Sequence, residues 1–128
     1  MPAVAVEGCT LKISSGGSGP APSVTNSPST VVFADGKGVF FKEIKFSVSG
    51  VTAGDIANAD GQGTGSISAT GKFILDANGD KAVLEGDESG EITVNGTKPN
   101  PSGPGSVSAS GKIKVKVDKA GQSVVIAL

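Results

Sequence analysis

Apolar residues in this 128-residue sequence occur in short runs, and turn-forming pairs such as Asp-Gly and Asn-Gly separate one run from the next. No long stretch repeats apolar residues with a helical period, and several runs alternate with the period of two that is typical of half-buried strands. Asp-Gly and Asn-Gly readily take the positive φ angles of tight hairpin turns. The pattern predicts an all-β fold, with short antiparallel strands in one small domain of residues 1–128.

Two segments alternate strictly between apolar and polar residues. Residues 43–48 place Ile44, Phe46 and Val48 on one face, and residues 112–117 place three apolar residues inward and three lysines outward. Both segments are predicted to be strands with one buried face. The outward lysines favour a solvent-facing surface that protects a sheet edge, and contact with an anionic partner is the alternative.

Three hairpins are predicted. Residues 31–41 and 73–84 each contain two apolar runs around a turn with Asp-Gly or Asn-Gly. A third hairpin is predicted over residues 115–128, with its turn at 119–121. Such turn pairs between apolar runs are strong short-range hairpin signals.

An internal repeat links these elements. Residues 66–72 recur as residues 106–112, 40 positions later, and a fainter copy begins at Ser23, 43 positions earlier. Each copy has too few apolar residues for a core of its own, so the copies are expected to pack around a shared core in a pseudo-threefold arrangement. The predicted units span approximately residues 23–48, 66–94 and 106–128.

The composition excludes several classes of function. The chain has no His, Arg, Trp or Tyr, and its basic and acidic residues nearly balance at a net charge of −1. It therefore lacks the usual general base and the bidentate phosphate fork, and its balanced charge does not suggest electrostatic capture of nucleic acid. We expect no enzymatic activity, no cofactor and no nucleic-acid partner. The start of the chain lacks the pattern of a signal peptide, so synthesis in the cytoplasm is expected.

One acidic segment has part of the spacing of a calcium loop. Asp76, Asn78, Asp80 and Asp87 occupy its positions 1, 3, 5 and 12, but Lys81 stands where the loop needs glycine. A hairpin turn with solvated acidic residues explains the same pattern, and we favour that interpretation. The four residues stay weak candidates for a calcium site.

Residues 26–39 resemble the repeating unit of PAAR-repeat proteins, in which a Ser-Pro stretch leads into a strand, a turn and a return strand. Residues 79–87 resemble the same unit, and residues 4–13 are similar to the start of PAAR-like proteins. The resemblance implies a small β-cone that caps the trimeric spike of a type VI secretion system or a contractile phage tail. It also implies a role in membrane penetration, with transient membrane contact and effector cargo.

The chain departs from that family at two points. PAAR tips usually hold a metal through histidines and a cysteine, whereas this chain has no His and only Cys9. That metal site is not carried over, and the Pro-Ala-Ala-Arg signature is absent as well. If the fold is shared, the apex must be closed by packing of side chains.

The resemblance further implies that the base of the cone binds a trimeric spike protein, of the valine-glycine-repeat type or from a phage, within an assembled injection or tail particle. We expect the three predicted hairpins to form this base. The predicted partner-binding residues are Phe40, Phe41, Val124, Val125, Ile126 and Leu128. The alternative function is a β-sandwich decoration, adhesion or binding module of a phage-like particle.

Overall fold

The computed structural model describes residues 2–71, 75–123 and 125. The chain forms a seven-stranded antiparallel sheet and a separate two-stranded hairpin, which confirms the predicted all-β class. The strands are β1 (Thr10–Ser15), β2 (Gly17–Ser18), β3 (Ser23–Val24), β4 (Phe33–Ala34), β5 (Lys37–Gly38), β6 (Glu43–Ala53), β7 (Gly61–Ser68), β8 (Ile92–Pro99) and β9 (Ser106–Lys119).

The large sheet is curled, and the strands at its two ends, β1 and β2, follow one another in the sequence. Its order is β1-β9-β8-β7-β6, and both β2 and β3 then pair with β6. Residues 17–24 therefore run antiparallel along β6, with Gly17 opposite Ala53 and Ser23 opposite Ser47. Since only Gly16 separates β1 from β2, the first and last positions of the sheet are joined by a single bend.

The two alternating segments form the predicted strands. In β6, Ile44, Phe46 and Val48 are buried, and in β9 the three apolar residues of 112–117 are buried as well. All six side chains belong to the larger apolar cluster inside the curled sheet. The sheet is folded tightly around this cluster: a Cβ built on Gly111 would lie 2.4 Å from the carbonyl oxygen of Ala53, so only glycine permits this crossing of β9 and β6.

The first predicted hairpin is present but tighter than expected. Asp35 and Gly36 both have positive φ angles, of 52° and 74°. They form a two-residue turn between β4 and β5, where Phe33 pairs with Gly38 and Ala34 with Lys37. The turn is thus shorter than the predicted residues 34–38 because two successive positive φ angles reverse the chain at once.

The third predicted hairpin is not formed as expected. Residues 115–117 lie in the middle of β9, and one edge of this stretch pairs with β1. Its other edge bonds to residues 86–89, where the backbone N–H groups of Gly86 and Ser89 donate to Val117 and Val115. Both edges of residues 115–117 are thus occupied by other segments, and most of the predicted return strand, residues 123–128, lies outside the described residues. The lysines of 112–117 likewise do not protect a sheet edge, since β9 is an inner strand.

Candidate docking site

Three short backbone segments close one end of the curled sheet. They are residues 3–7, 38–42 and 81–85, which we call the first, second and third cap segments, and together the cap. Their middle residues are joined in a ring of hydrogen bonds. Ala5 N–H donates to Val83 O (2.8 Å), Val83 N–H to Phe40 O (2.9 Å), and Phe40 N–H to Ala5 O (3.1 Å).

The same cyclic order holds on both sides of these middle residues. In each segment the residue before the middle one is bridged to the residue after the middle one in a neighbouring segment. The bridged pairs are Val4 with Leu84, Val39 with Val6, and Ala82 with Phe41. One step further out, three N–H groups donate across the segments, from Glu7 to Gly38 O, from Lys42 to Lys81 O and from Glu85 to Ala3 O. The three segments are therefore related cyclically.

The cap separates two apolar clusters. Side chains alternate in extended backbone, and the middle residues Ala5, Phe40 and Val83 belong to the larger cluster inside the sheet. The residues on either side of them point the opposite way, into a second cluster. That cluster contains Val4, Val6, Ala34, Val39, Ala82 and Leu84, with Val32, Phe41 and Val125 packed against it. Both faces of the cap are thus filled with apolar side chains.

Loops cover the outer cluster. Val4 N–H donates to Val125 O (3.1 Å), and Val39 N–H donates to Val32 O (3.0 Å), so a covering segment is bonded to the first and to the second cap segment. Three large apolar residues of the stretches 31–34 and 75–81 stay exposed to solvent. They are Val31 at 82%, Phe33 at 58% and Leu75 at 49% exposure.

Asp87 ties the third cap segment to its neighbours. Its carboxylate accepts hydrogen bonds from the Leu84 N–H (2.8 Å), the Thr70 N–H (3.2 Å) and the Thr70 hydroxyl. Its backbone carbonyl accepts from Val117 N–H in β9. The side chain is 8% exposed, so this is a buried carboxylate whose role is to hold the turn after the third cap segment.

The side chains of two calcium candidates, Asp76 and Asp87, accept hydrogen bonds within the chain. Asp76 Oδ1 accepts hydrogen bonds from the N–H groups of Asn78 and Asp80, both at 2.9 Å, which is the favoured hairpin-turn interpretation. Asp87 is engaged in the separate network described above. Within residues 2–71, 75–123 and 125, no group of three or more Cys, Asp or Glu residues could hold a metal ion.

The predicted partner-binding residues differ in their location and burial. Phe40 and Phe41 point to opposite sides of the cap, as neighbouring strand residues should. Phe40 is only 3% exposed and fills the core, so its side chain is not on a partner-binding surface. Phe41 and Val125 are half-buried against the outer cluster. Val124, Ile126 and Leu128 lie outside the described residues.

The single cysteine follows the first cap segment. Burial raises the pKa of the Cys9 thiol to about 11, although a backbone hydrogen bond acts in the opposite direction. Its thiolate fraction is therefore small at neutral pH, which is typical of an unreactive, partly buried thiol.

The sequence contains a signal for the cap that is separate from the repeat at 66–72 and 106–112. Residues 4–8 read Val-Ala-Val-Glu-Gly and residues 82–86 read Ala-Val-Leu-Glu-Gly, and these are equivalent in the cyclic arrangement. Residues 39 and 82, which are 43 positions apart, are also equivalent. The repeat at 66–72 and 106–112 has no such equivalence, since residues 66–68 of β7 pair with β6 whereas residues 106–112 of β9 pair with β8.

Comparison with protein-family models, with curated proteins and with solved structures finds no match. In the described part of the chain, no helix has the length and apolar character needed to cross a membrane. The geometry of the cap is therefore what bears on function.

Proposed function

We propose that this protein is a structural tip that caps the trimeric spike of a contractile injection system or phage tail and aids membrane penetration. In this proposal it is not an enzyme, and its partner is a spike protein of the valine-glycine-repeat type or a phage spike. The single observation that carries the proposal is the cyclic relation of the three cap segments. The resemblance of the sequence to PAAR-repeat proteins supports it independently.

A single chain on the threefold axis of a homotrimer must meet three identical subunits. An asymmetric surface can satisfy only one or two of them, whereas three similar segments around an axis offer each subunit a similar contact. The backbone of the cap repeats in this way, since the ring of hydrogen bonds through the buried residues Ala5, Phe40 and Val83 returns to its start after three steps, and the surface around the ring is what a partner would contact. The arrangement favours a threefold partner over a partner with one or two subunits.

A tip that transmits force also needs a stiff end. The cap is fixed by main-chain hydrogen bonds, and apolar side chains fill both of its faces. Dense apolar packing is only slightly compressible and transmits strain. In this proposal the cap is the end that meets the spike, and the apolar packing on both of its faces makes that end stiff.

The test is the stoichiometry of the native complex. We expect native mass spectrometry of the tagged chain from its own host to show one copy bound to three copies of a larger protein. The buffer must stay non-denaturing throughout, and a tagged chain with an unrelated fold serves as the control for adventitious capture. A free monomer, or a complex of this chain with itself alone, would contradict the proposal and favour the decoration or adhesion module.

A further inference from the structure

Two of the exposed apolar residues occupy equivalent positions around the cap. Phe33 pairs with Gly38, and Leu75 is bridged to Lys81. Gly38 and Lys81 are the first residues of the second and third cap segments, and each accepts the outermost hydrogen bond of its segment. Phe33 and Leu75 are therefore equivalent in their pairing, since each lies beside the first residue of its cap segment.

Burial does not explain these residues. The other large apolar side chains of the described residues are buried or half-buried, whereas Phe33 and Leu75 are about half exposed and Val31 is almost fully exposed. Isolated exposed apolar residues are common on proteins, but equivalent ones around a cyclic axis are not expected from chance. Their arrangement indicates a contact with a partner that has the same symmetry.

Two of the charged groups on the same loops are engaged within the chain. Lys37 Nζ donates a hydrogen bond to Gly121 O at 2.8 Å. The Asp76 carboxylate accepts hydrogen bonds from its own turn. The charged residues of these loops carry both signs and include the exposed Asp35 and Lys81, so the loops form no patch of one charge. The exposed apolar side chains are what the loops share, and a partner with an apolar end therefore fits better than a polyanionic one.

We propose that Val31, Phe33 and Leu75 form the docking surface, which we call the apolar rim, and that its occupant is the apolar end of a homotrimer on its threefold axis. This proposal rests on the proposed function and adds which end of the molecule meets the spike. Phe33 and Leu75 then contact the same residues on two successive subunits of the trimer. The rim, rather than the long β8–β9 hairpin, is the end that binds.

The experiment compares three tagged chains expressed in the native host, by native mass spectrometry of each recovered complex. The test variant is Phe33→Ser combined with Leu75→Ser. The matched control is Val107→Ser, which makes the same apolar-to-polar change at the start of β9, far along that strand from the cap. Circular dichroism and the melting temperature of each purified chain verify that all three are folded.

We expect the wild-type chain and Val107→Ser to give the one-to-three complex, and the double variant to lose at least nine-tenths of it while keeping its melting temperature. Apolar residues at the centre of an interface often dominate its affinity, which is why two substitutions suffice. If the folded double variant still forms the complex at wild-type yield, the apolar rim is not the docking surface although the proposed function stands. If the wild-type chain forms no complex with a trimer, both proposals fail together.

Discussion

Asp87 is the side chain whose removal tests the structure most sharply. Its carboxylate accepts three hydrogen bonds, and one donor, the Leu84 N–H, is in a residue that is only 7% exposed. In Asp87→Ala that N–H stays buried without its acceptor, at a cost of about 1–3 kcal/mol, and the charge-assisted bonds are lost as well. Thr70 is exposed, so its two donors can bind water instead. We expect a loss of about 2–4 kcal/mol, a large share of the roughly 5–15 kcal/mol that stabilises a typical domain.

The chain offers a matched control for this change. Asp60 also accepts hydrogen bonds from the N–H and hydroxyl of one threonine, Thr97, but the pair is exposed. Asp60→Ala should therefore destabilise the fold much less than Asp87→Ala. Urea unfolding followed by far-ultraviolet circular dichroism measures both, since the chain has no Trp or Tyr to report by fluorescence. An equal loss in the two variants would show that the Asp87 network does not hold the third cap segment.

Three further outcomes follow from the same contacts. Phe40→Ala should cost about 3–5 kcal/mol because it empties a buried site, whereas Phe33→Ala at its exposed site should cost less than about 1 kcal/mol in the same urea assay. Hydrogen bonds from Thr97 lower the pKa of Asp60 below its ordinary value of 3.8. The ionised Asp60 thus adds stability at neutral pH, and melting curves should show that the advantage over Asp60→Asn disappears as the pH falls below that value. Gly111→Ala should lower the melting temperature strongly because its Cβ would meet Ala53 backbone at 2.4 Å; little change there would contradict the close crossing.

Local patterns in the sequence determined the strands and turns that depend on neighbouring residues. The alternation in residues 43–48 and 112–117 identified β6 and the second half of β9, because a strand with one buried face requires that period. The Asp-Gly pair at 35–36 likewise identified the first hairpin turn. These features needed no knowledge of distant contacts.

Features that depend on distant contacts were not predicted. Strand β7 contains alternate glycines and has little apolar periodicity, yet it pairs with β6 over most of its length. The structure explains Gly65 by close approach, since a Cβ there would lie 2.8 Å from the ring of Phe46. These glycines are required by contacts with a neighbouring strand, so the sequence of β7 alone does not predict a strand.

The cap was missed for a related reason. Its segments are five residues long, and each finds its partners more than 30 positions away in the sequence. Such short runs have no period to detect. The predicted pseudo-threefold arrangement of three complete hairpin units stays a prediction, because the cyclic relation described above concerns the cap segments and their adjoining loops.

The proposal of a threefold partner depends on the closed ring of hydrogen bonds in the cap. Amide hydrogen exchange measured by NMR tests that ring directly. We predict that the N–H groups of Ala5, Phe40 and Val83 exchange only through global unfolding, with equal protection that matches the free energy of unfolding from urea. Ala5 is the decisive position, since residues so close to a chain terminus usually exchange rapidly. Rapid exchange at Ala5 while Phe40 and Val83 stay protected would show that the first segment does not complete the ring, and the argument for a threefold partner would be lost.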